Sequence, residues 1–277
     1  SYGTRKINLQ HSNTIGKLNY AVGFGNEAAT GFSSATDMTG KNNFDKDGYK
    51  NNNWFANINY AINQYWNLKA STHQTSYNAG IDYGAFKDDK DEKFNNATKL
   101  TGLVLKYKKE KSIFQFQYQL STQDRQYKND SLDRTYTIFE DNQYTGKSHF
   151  ADAFYSTALS KNIQWIMGGD FRYGSYHQTY ISISEYGPYN DNFKDTFQYQ
   201  TALYSSLLIN DASNKWLLEL GGRMNKHNRY GSNQTFTISP SYKLNAQFRL
   251  MASASTGYKA PSPVSYTHLT LPTKRIV

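Results

Sequence analysis

The chain has 277 residues and a mean hydropathy of -0.78, and it is 38% apolar yet 16% aromatic, which excludes both a large aliphatic core and aromatic-poor disorder. Lys and Arg outnumber Asp and Glu by 31 to 22, but they are scattered, with no recognition helix, zinc-finger spacing or basic run, so no nucleic-acid partner is expected. With no cysteine there is neither a disulfide nor a thiolate metal site, and no run of about 18 apolar residues could cross a membrane as a helix.

The opening SYGTRKINLQ has no Met or apolar leader and already alternates, so the sequence reads as a piece of a longer product that begins inside a strand. Alternation then predicts strands at 3–13, 16–27, 50–61, 65–77, 98–108, 112–126, 147–159, 163–177, 196–209, 215–226, 233–241 and 246–257. Short turns at Asn13-Thr14, Asn63-Gln64, Glu110, Lys161-Asn162, Ala212 to Asn214 and Lys243 to Asn245 alternate with long connections at 28–49, 78–97, 127–146 and 178–195, the one exception being a modest loop near 228–232. In an up-and-down antiparallel sheet every second connection lies at the same end. Tight turns would therefore gather at one rim and large loops at the other, the asymmetry of an outer-membrane barrel.

The faces agree. Phe114, Phe116, Tyr118 and Leu120 interleave with Gln115, Gln117, Gln119 and Ser121; Trp54, Ala56, Ile58 and Tyr60 interleave with Phe55, Asn57 and Asn59. A half-buried soluble sheet alternates in the same way, and a soluble or surface β-sandwich adhesin is the rival reading. Tryptophan separates the two. Trp66, Trp165 and Trp216 each follow a short turn by two to four residues on the apolar face, and Trp54 sits at the far end of its strand's apolar span. Those are the positions of interfacial girdles, so the apolar face is expected to meet lipid and the glutamines to line a wet interior.

Acid concentrates in the first two long loops. NFDKDGYK places Asp45 and Asp47 before Gly48, with Asp37 upstream, and GIDYGAFKDDKDEKF supplies Asp82, Asp88, Asp89, Asp91 and Glu92. Successive loops at one rim are neighbours, and carboxylates on flexible loops suit Ca²⁺, although acids mixed with Lys46, Lys50, Lys87, Lys90 and Lys93 also simply keep loops soluble. No zinc-type His pair, nucleophile elbow or phosphate-binding loop occurs, so no enzyme activity is expected; His177 and Asp170 are read as lumen lining, with Asp170 and Arg172 as an interior ion pair.

Several stretches resemble the TonB-dependent outer-membrane receptors, and among them the vitamin B12 (cobalamin) receptors. TGYKAPSP is similar to the K-A-P segment that ends a mid-barrel strand in these transporters. Gly31-Phe32-Ser33 through Asp37, Phe44 through Tyr49, and IDYGAFKDDKD resemble the two acidic loops of the cobalamin receptors, with Tyr83 where the family often has Ala. The resemblance implies a 22-strand barrel of which about 12 strands are present here, an N-terminal plug and TonB-contacting segment missing from this sequence, and residence in the outer membrane of a Gram-negative bacterium. It implies cobalamin or another corrinoid as transported ligand, with iron-siderophore, haem or glycan as the alternative within the family and a surface lipoprotein as a further partner. Calcium ligands carried over residue by residue are Asp45, Asp47 and Asp82, with Asp37 and Asp89 beside them.

The barrel piece is taken as 1–263. From Val264 onward VSYTHLTLPTKRIV resembles the translation of a transposon-type sequencing adapter, and 264–277 is expected to be a read-through tail without function.

Overall fold

The computed structural model describes residues 2–41, 43–131 and 138–260. The expected boundary at 263 and the tail lie outside them. The described chain is all-β, a single antiparallel sheet in which each strand pairs with its sequence neighbours: β1 Arg5–Ile15, β2 Leu18–Phe32, β3 Asp47–Ala61, β4 Trp66–Gly80, β5 Lys93–Lys109, β6 Ser112–Asp130, β7 Phe139–Ala158, β8 Ile163–Ser184, β9 Gly187–Asn210, β10 Trp216–His227, β11 Gly231–Lys243 and β12 Arg249–Met251, with the two-residue β13 Ala254–Ser255 also on β11.

The predicted strands hold and most are longer than expected, mainly toward the long-loop rim. β7 begins at Phe139 rather than 147, and the predicted loop 178–195 is mostly hairpin, turning at 185–186. The first turn sits at 16–17, where Gly16 takes φ +56°, instead of Asn13-Thr14. The twelfth strand is broken because Pro240 lies opposite Ala252: the Ala252 N–H still donates to the Pro240 carbonyl (3.1 Å), but Pro240 has no N–H to return a ladder bond.

One layer of sheet has no hydrophobic core. Among the described residues the only buried apolar side chains are Ala35 and Ala202, whereas Asp152, Ser156, Asp170, Asn225 and His227 are buried. Pairing register assigns the faces. Leu68, Leu105, Phe116, Ala153, Gly169, Leu203 and Met224 stand side by side on one face, and Gln117, Asp152, Asp170, Ala202 and Asn225 on the other. Leu203 is 71% and Met224 60% exposed, on the face the sequence assigned to lipid.

That outer face is apolar only over a band. On β9 it runs from Leu207 to Phe197, about ten steps of ~3.4 Å, which at a ~45° tilt rises about 24 Å, close to the ~25 Å apolar height of such barrels. Aromatic contacts mark its short-turn edge. Trp66 packs on Tyr107 (4.9 Å) and Phe114 (6.5 Å), Trp216 on Tyr242 (4.4 Å), and Trp165 Nε1 donates to Ser205 Oγ (2.8 Å). Above Trp54 the same face turns polar: Asn78 donates to Asn95 (2.5 Å), Asn95 to Gln126 (3.3 Å) and Gln126 to Asp141 (2.8 Å). There the strands stand in water on both sides.

The inner face is a hydrogen-bonded polar lining. Gln117 Nε2 and the Tyr204 hydroxyl donate to Asp152 at 3.4 and 2.8 Å, and Asp170 pairs with Arg172 (3.2 Å) as predicted and more tightly with Arg223 (2.6 Å). His177 corrects the expectation of lumen lining. It lies seven positions along from Asp170, an odd step, which places it on the opposite face of β8, beside Thr179 Oγ1 at 3.1 Å.

Candidate metal site at the long-loop rim

Above the inner face, loops 33–46 and 81–92 fold onto the start of β3. The β2–β3 ladder shifts register between Ala29 and Phe32, which throws the loop inward. Gly31 makes this possible: its φ is +66°, and a Cβ there would lie 2.1 Å from the Asp47 carbonyl oxygen.

Asp82 is the hub. Its Oδ2 accepts from the Ala35 N–H (2.6 Å), Ser33 Oγ (2.9 Å) and Ser34 Oγ (3.0 Å), and its Oδ1 from the Asp89 N–H (2.8 Å). The Ser34 N–H donates to Asp47 Oδ2 (2.5 Å), and the Asp45 N–H to Asp88 Oδ1 (2.8 Å). Backbone donors from one loop thus hold carboxylates of the other. The result is that Asp45, Asp47 and Asp82 each bring an oxygen to within 4.8 Å of the others.

Three carboxylates so close and half-buried repel one another when charged. Asp45 Oδ1 is buried and has no hydrogen-bond partner among the described residues, and neither does Glu92 Oε2. Burial first, then the proximity of Asp88, Asp47 and Asp82, pushes the Asp45 carboxyl up to about 6. Burial, followed by repulsion from Asp89 and Glu140, pushes Glu92 up to about 7. Burial would raise Asp82 as well, but the N–H groups of Asp89 and Ala35 outweigh it and hold that carboxyl low. An oxygen-only donor set with an orphaned anionic oxygen fits a hard cation such as Ca²⁺ and is a poor match for zinc.

The other two sequence candidates play different parts. Asp89 is nearly fully buried and accepts from Asn129 Nδ2 (2.7 Å) and Ser131 Oγ (3.1 Å), so it pins the second loop to the end of β6. Asp37 Oδ1 accepts from the N–H and hydroxyl of Thr39 at 2.7 and 2.6 Å, a local turn, and lies outside the three-carboxylate group. Sequence reasoning missed Asn129 and Ser131 because residues from 127 on read as a third loop, whereas Asn129 lies in β6 and Ser131 just beyond it; the signal was their place two and four residues beyond Tyr127, where β6 reaches the same rim.

A single-layer sheet with lipid-compatible outside, polar inside, short turns at one rim and an acid-lined loop cluster at the other defines the wall of a transmembrane β-barrel with a site at its mouth. The model of the TonB dependent receptor-like β-barrel family matches residues 2–270, and the chain belongs to that family. It is 23% identical over 238 residues to the vitamin B12 transporter BtuB of Photobacterium profundum, covering 85% of this chain and 35% of the relative. Solved structures of similar fold include the ferripyoverdine receptor of Pseudomonas aeruginosa (TM-score 0.70, 11% identity, 91% of this chain and 40% of that one) and the ferric yersiniabactin receptor FyuA of Yersinia pestis (0.68, 13%, 90% and 44%). The chain thus spans about a third of the curated relative and less than half of these structures.

Proposed function

We propose that the chain supplies barrel wall and a calcium-ordered ligand mouth to a TonB-dependent transporter in the outer membrane of a Gram-negative bacterium, and that its cargo is cobalamin or a related corrinoid. The observation that carries this reading is the convergence of Asp45, Asp47 and Asp82 from two loops whose sequences resemble those of the cobalamin receptors. The similarity to a vitamin B12 transporter supports the same cargo. Asp45, Asp47 and Asp82 would hold the ion, which would neutralise the carboxylates and lock loop 33–46 to loop 81–92. The lumen residues keep the interior wet, and the energy for transport would come through TonB acting on a plug supplied by the rest of the receptor.

Equilibrium binding of cyanocobalamin to the receptor that carries this barrel tests the cargo. Binding at micromolar ligand or below, weakened at least tenfold by a calcium chelator, is expected. Absence of binding at micromolar ligand with calcium present, together with tight binding of a ferric siderophore, would reject the corrinoid in favour of iron.

A further inference from the structure

The short-turn rim carries a charge that sheet formation does not require. Lys17, Lys109, Lys111, Lys161, Lys215 and Lys243 stand in or beside the turns at 16–17, 110–111, 159–162, 211–215 and 244–248, and all are exposed. The remaining short turn, 62–65, is reached by Lys17, whose Nζ donates to the Ile62 carbonyl at 3.1 Å. Among the described residues none of these lysines forms an ion pair with a carboxylate. Two acids share the rim. Asp211 is tied into its own turn, accepting from the N–H groups of Ser213 (3.2 Å) and Trp216 (2.8 Å) and from the Ser213 hydroxyl, and Glu110 stands exposed between Lys109 and Lys111. The rim is therefore cationic, whereas the acidic cluster lies at the other end of the strands.

These lysines continue the lipid face. Lys215 adjoins Trp216, Lys243 adjoins Tyr242, Lys109 lies two residues from Tyr107 and Lys161 four from Trp165, each on the turn side of its ring. At ~3.4 Å per residue and a ~45° tilt they stand about 2–10 Å beyond the aromatic edge, the depth of the roughly 5–8 Å headgroup layer on either side of the hydrocarbon. Lys109 is on the outer side of the wall: its Nζ lies 5.6 Å from the Tyr65 ring, which is 6.2 Å from Tyr107, and Tyr107 packs on Trp66. Closing the barrel with further strands leaves this side facing outward.

We infer that the short-turn rim is a docking surface for the headgroups of anionic phospholipids, phosphodiesters without a compensating ammonium such as phosphatidylglycerol. A lysine stem lies along the aromatic edge while its ammonium reaches the phosphate, and a zwitterionic headgroup, which brings its own ammonium, gains less from the same contact. The inference goes beyond the cargo and the calcium site. It rests only on the aromatic side of the sheet meeting lipid.

The experiment uses the whole receptor in phosphatidylcholine vesicles containing brominated phosphatidylglycerol, which quenches Trp66, Trp165 and Trp216 when it sits at this rim. Its binding constant relative to brominated phosphatidylcholine should be about fivefold, the worth of one lysine contact at an anionic surface, and should fall to within about twofold of unity in about 0.5 M salt. Joint Lys109→Gln, Lys111→Gln, Lys161→Gln and Lys215→Gln substitution should abolish the preference, and arginine at the same four positions should keep it. Heat-modifiable gel mobility checks that each variant forms a barrel; if the fourfold glutamine variant does not, the Lys161→Gln, Lys215→Gln pair and the salt titration of the unmodified receptor decide. Equal quenching by the two brominated lipids in the unmodified receptor, or a preference that survives the glutamine substitutions in a folded barrel, would overturn the inference. If those substitutions instead abolish cosedimentation with peptidoglycan and leave the lipid preference unchanged, the rim faces the cell wall and the inference is wrong. Cargo binding enters none of these readings, so rejection of the corrinoid leaves them as they stand.

Discussion

Replacing Leu203 with arginine is expected to destabilise the membrane-inserted barrel by about 2–4 kcal/mol, the cost of a cation on the lipid face near the bilayer midplane. Leu203 lies midway between Leu207 and Tyr199 on the outer face of β9, is 71% exposed, and faces no acidic partner in its register row of Gly169 and Met224. Gln117→Arg is the matched control, because it puts the same charge on the lumen face, beside Asp152. It should change stability by less than about 0.5 kcal/mol. Denaturant unfolding of the receptor in lipid vesicles reads both. Equal costs at the two positions would mean that the faces do not differ in solvent.

The second large effect concerns the acidic cluster. Asp82→Asn keeps the shape of the side chain but removes a charge and gives one terminus hydrogens, where Asp82 Oδ1 and Oδ2 accept at least four donors. Hydrogen bonds to a charged group are worth about 1.5–3 kcal/mol each, so calcium affinity should fall well over tenfold and both loops should become protease-sensitive with calcium present. Asp37→Asn should leave calcium affinity within about twofold, since that carboxylate caps its own turn at Thr39. Acid adds a signature. Asp45 and Glu92 have folded-state values raised to about 6 and about 7, so between the ordinary carboxylate range and those values the folded loops bind more protons than the unfolded chain. Without metal, these two carboxyls therefore stabilise the loops most below the ordinary carboxylate range and lose that contribution as pH rises through 6 and 7, whereas Asp82, held low, contributes in the opposite sense, and its contribution is lost only in stronger acid. Calcium displaces those protons, so its affinity should rise across the same interval, by up to about tenfold per pH unit for each proton released. Calcium titrations at pH 5.5 and 7.5 measure this, and a flat profile would remove Asp45 from the site.

Where two solvents act on the sheet, its structure was legible in the sequence. Phe114 to Ser121 must alternate because one face meets lipid and the other water, and the register pairs Phe116 with Leu105 and Ala153 as that requires. Beyond the band the rule lapses. Residues 139–146 and 178–184 are strand with water on both faces, so polar follows polar and no period shows. The nearness of the two acidic loops was legible because adjacent loops at one rim must be neighbours, whereas the choice of Asp45, Asp47 and Asp82 among their acids rested on the resemblance to the cobalamin receptors. The anchoring of Asp89 by Asn129 and Ser131 was not legible, because the end of β6 comes beside the second loop only once the register of β5 and β6 is fixed.

The most direct measurement is of what each face of β6 touches. The chain has no cysteine, so single cysteines at Phe116, Gln117, Tyr118 and Gln119 can carry a nitroxide without interference from this barrel. In the receptor reconstituted in lipid, collision with oxygen dissolved in the acyl chains should be high at 116 and 118 and low at 117 and 119. High oxygen collision at the glutamine positions, or equal values at all four, would contradict a barrel wall with lipid on its aromatic side.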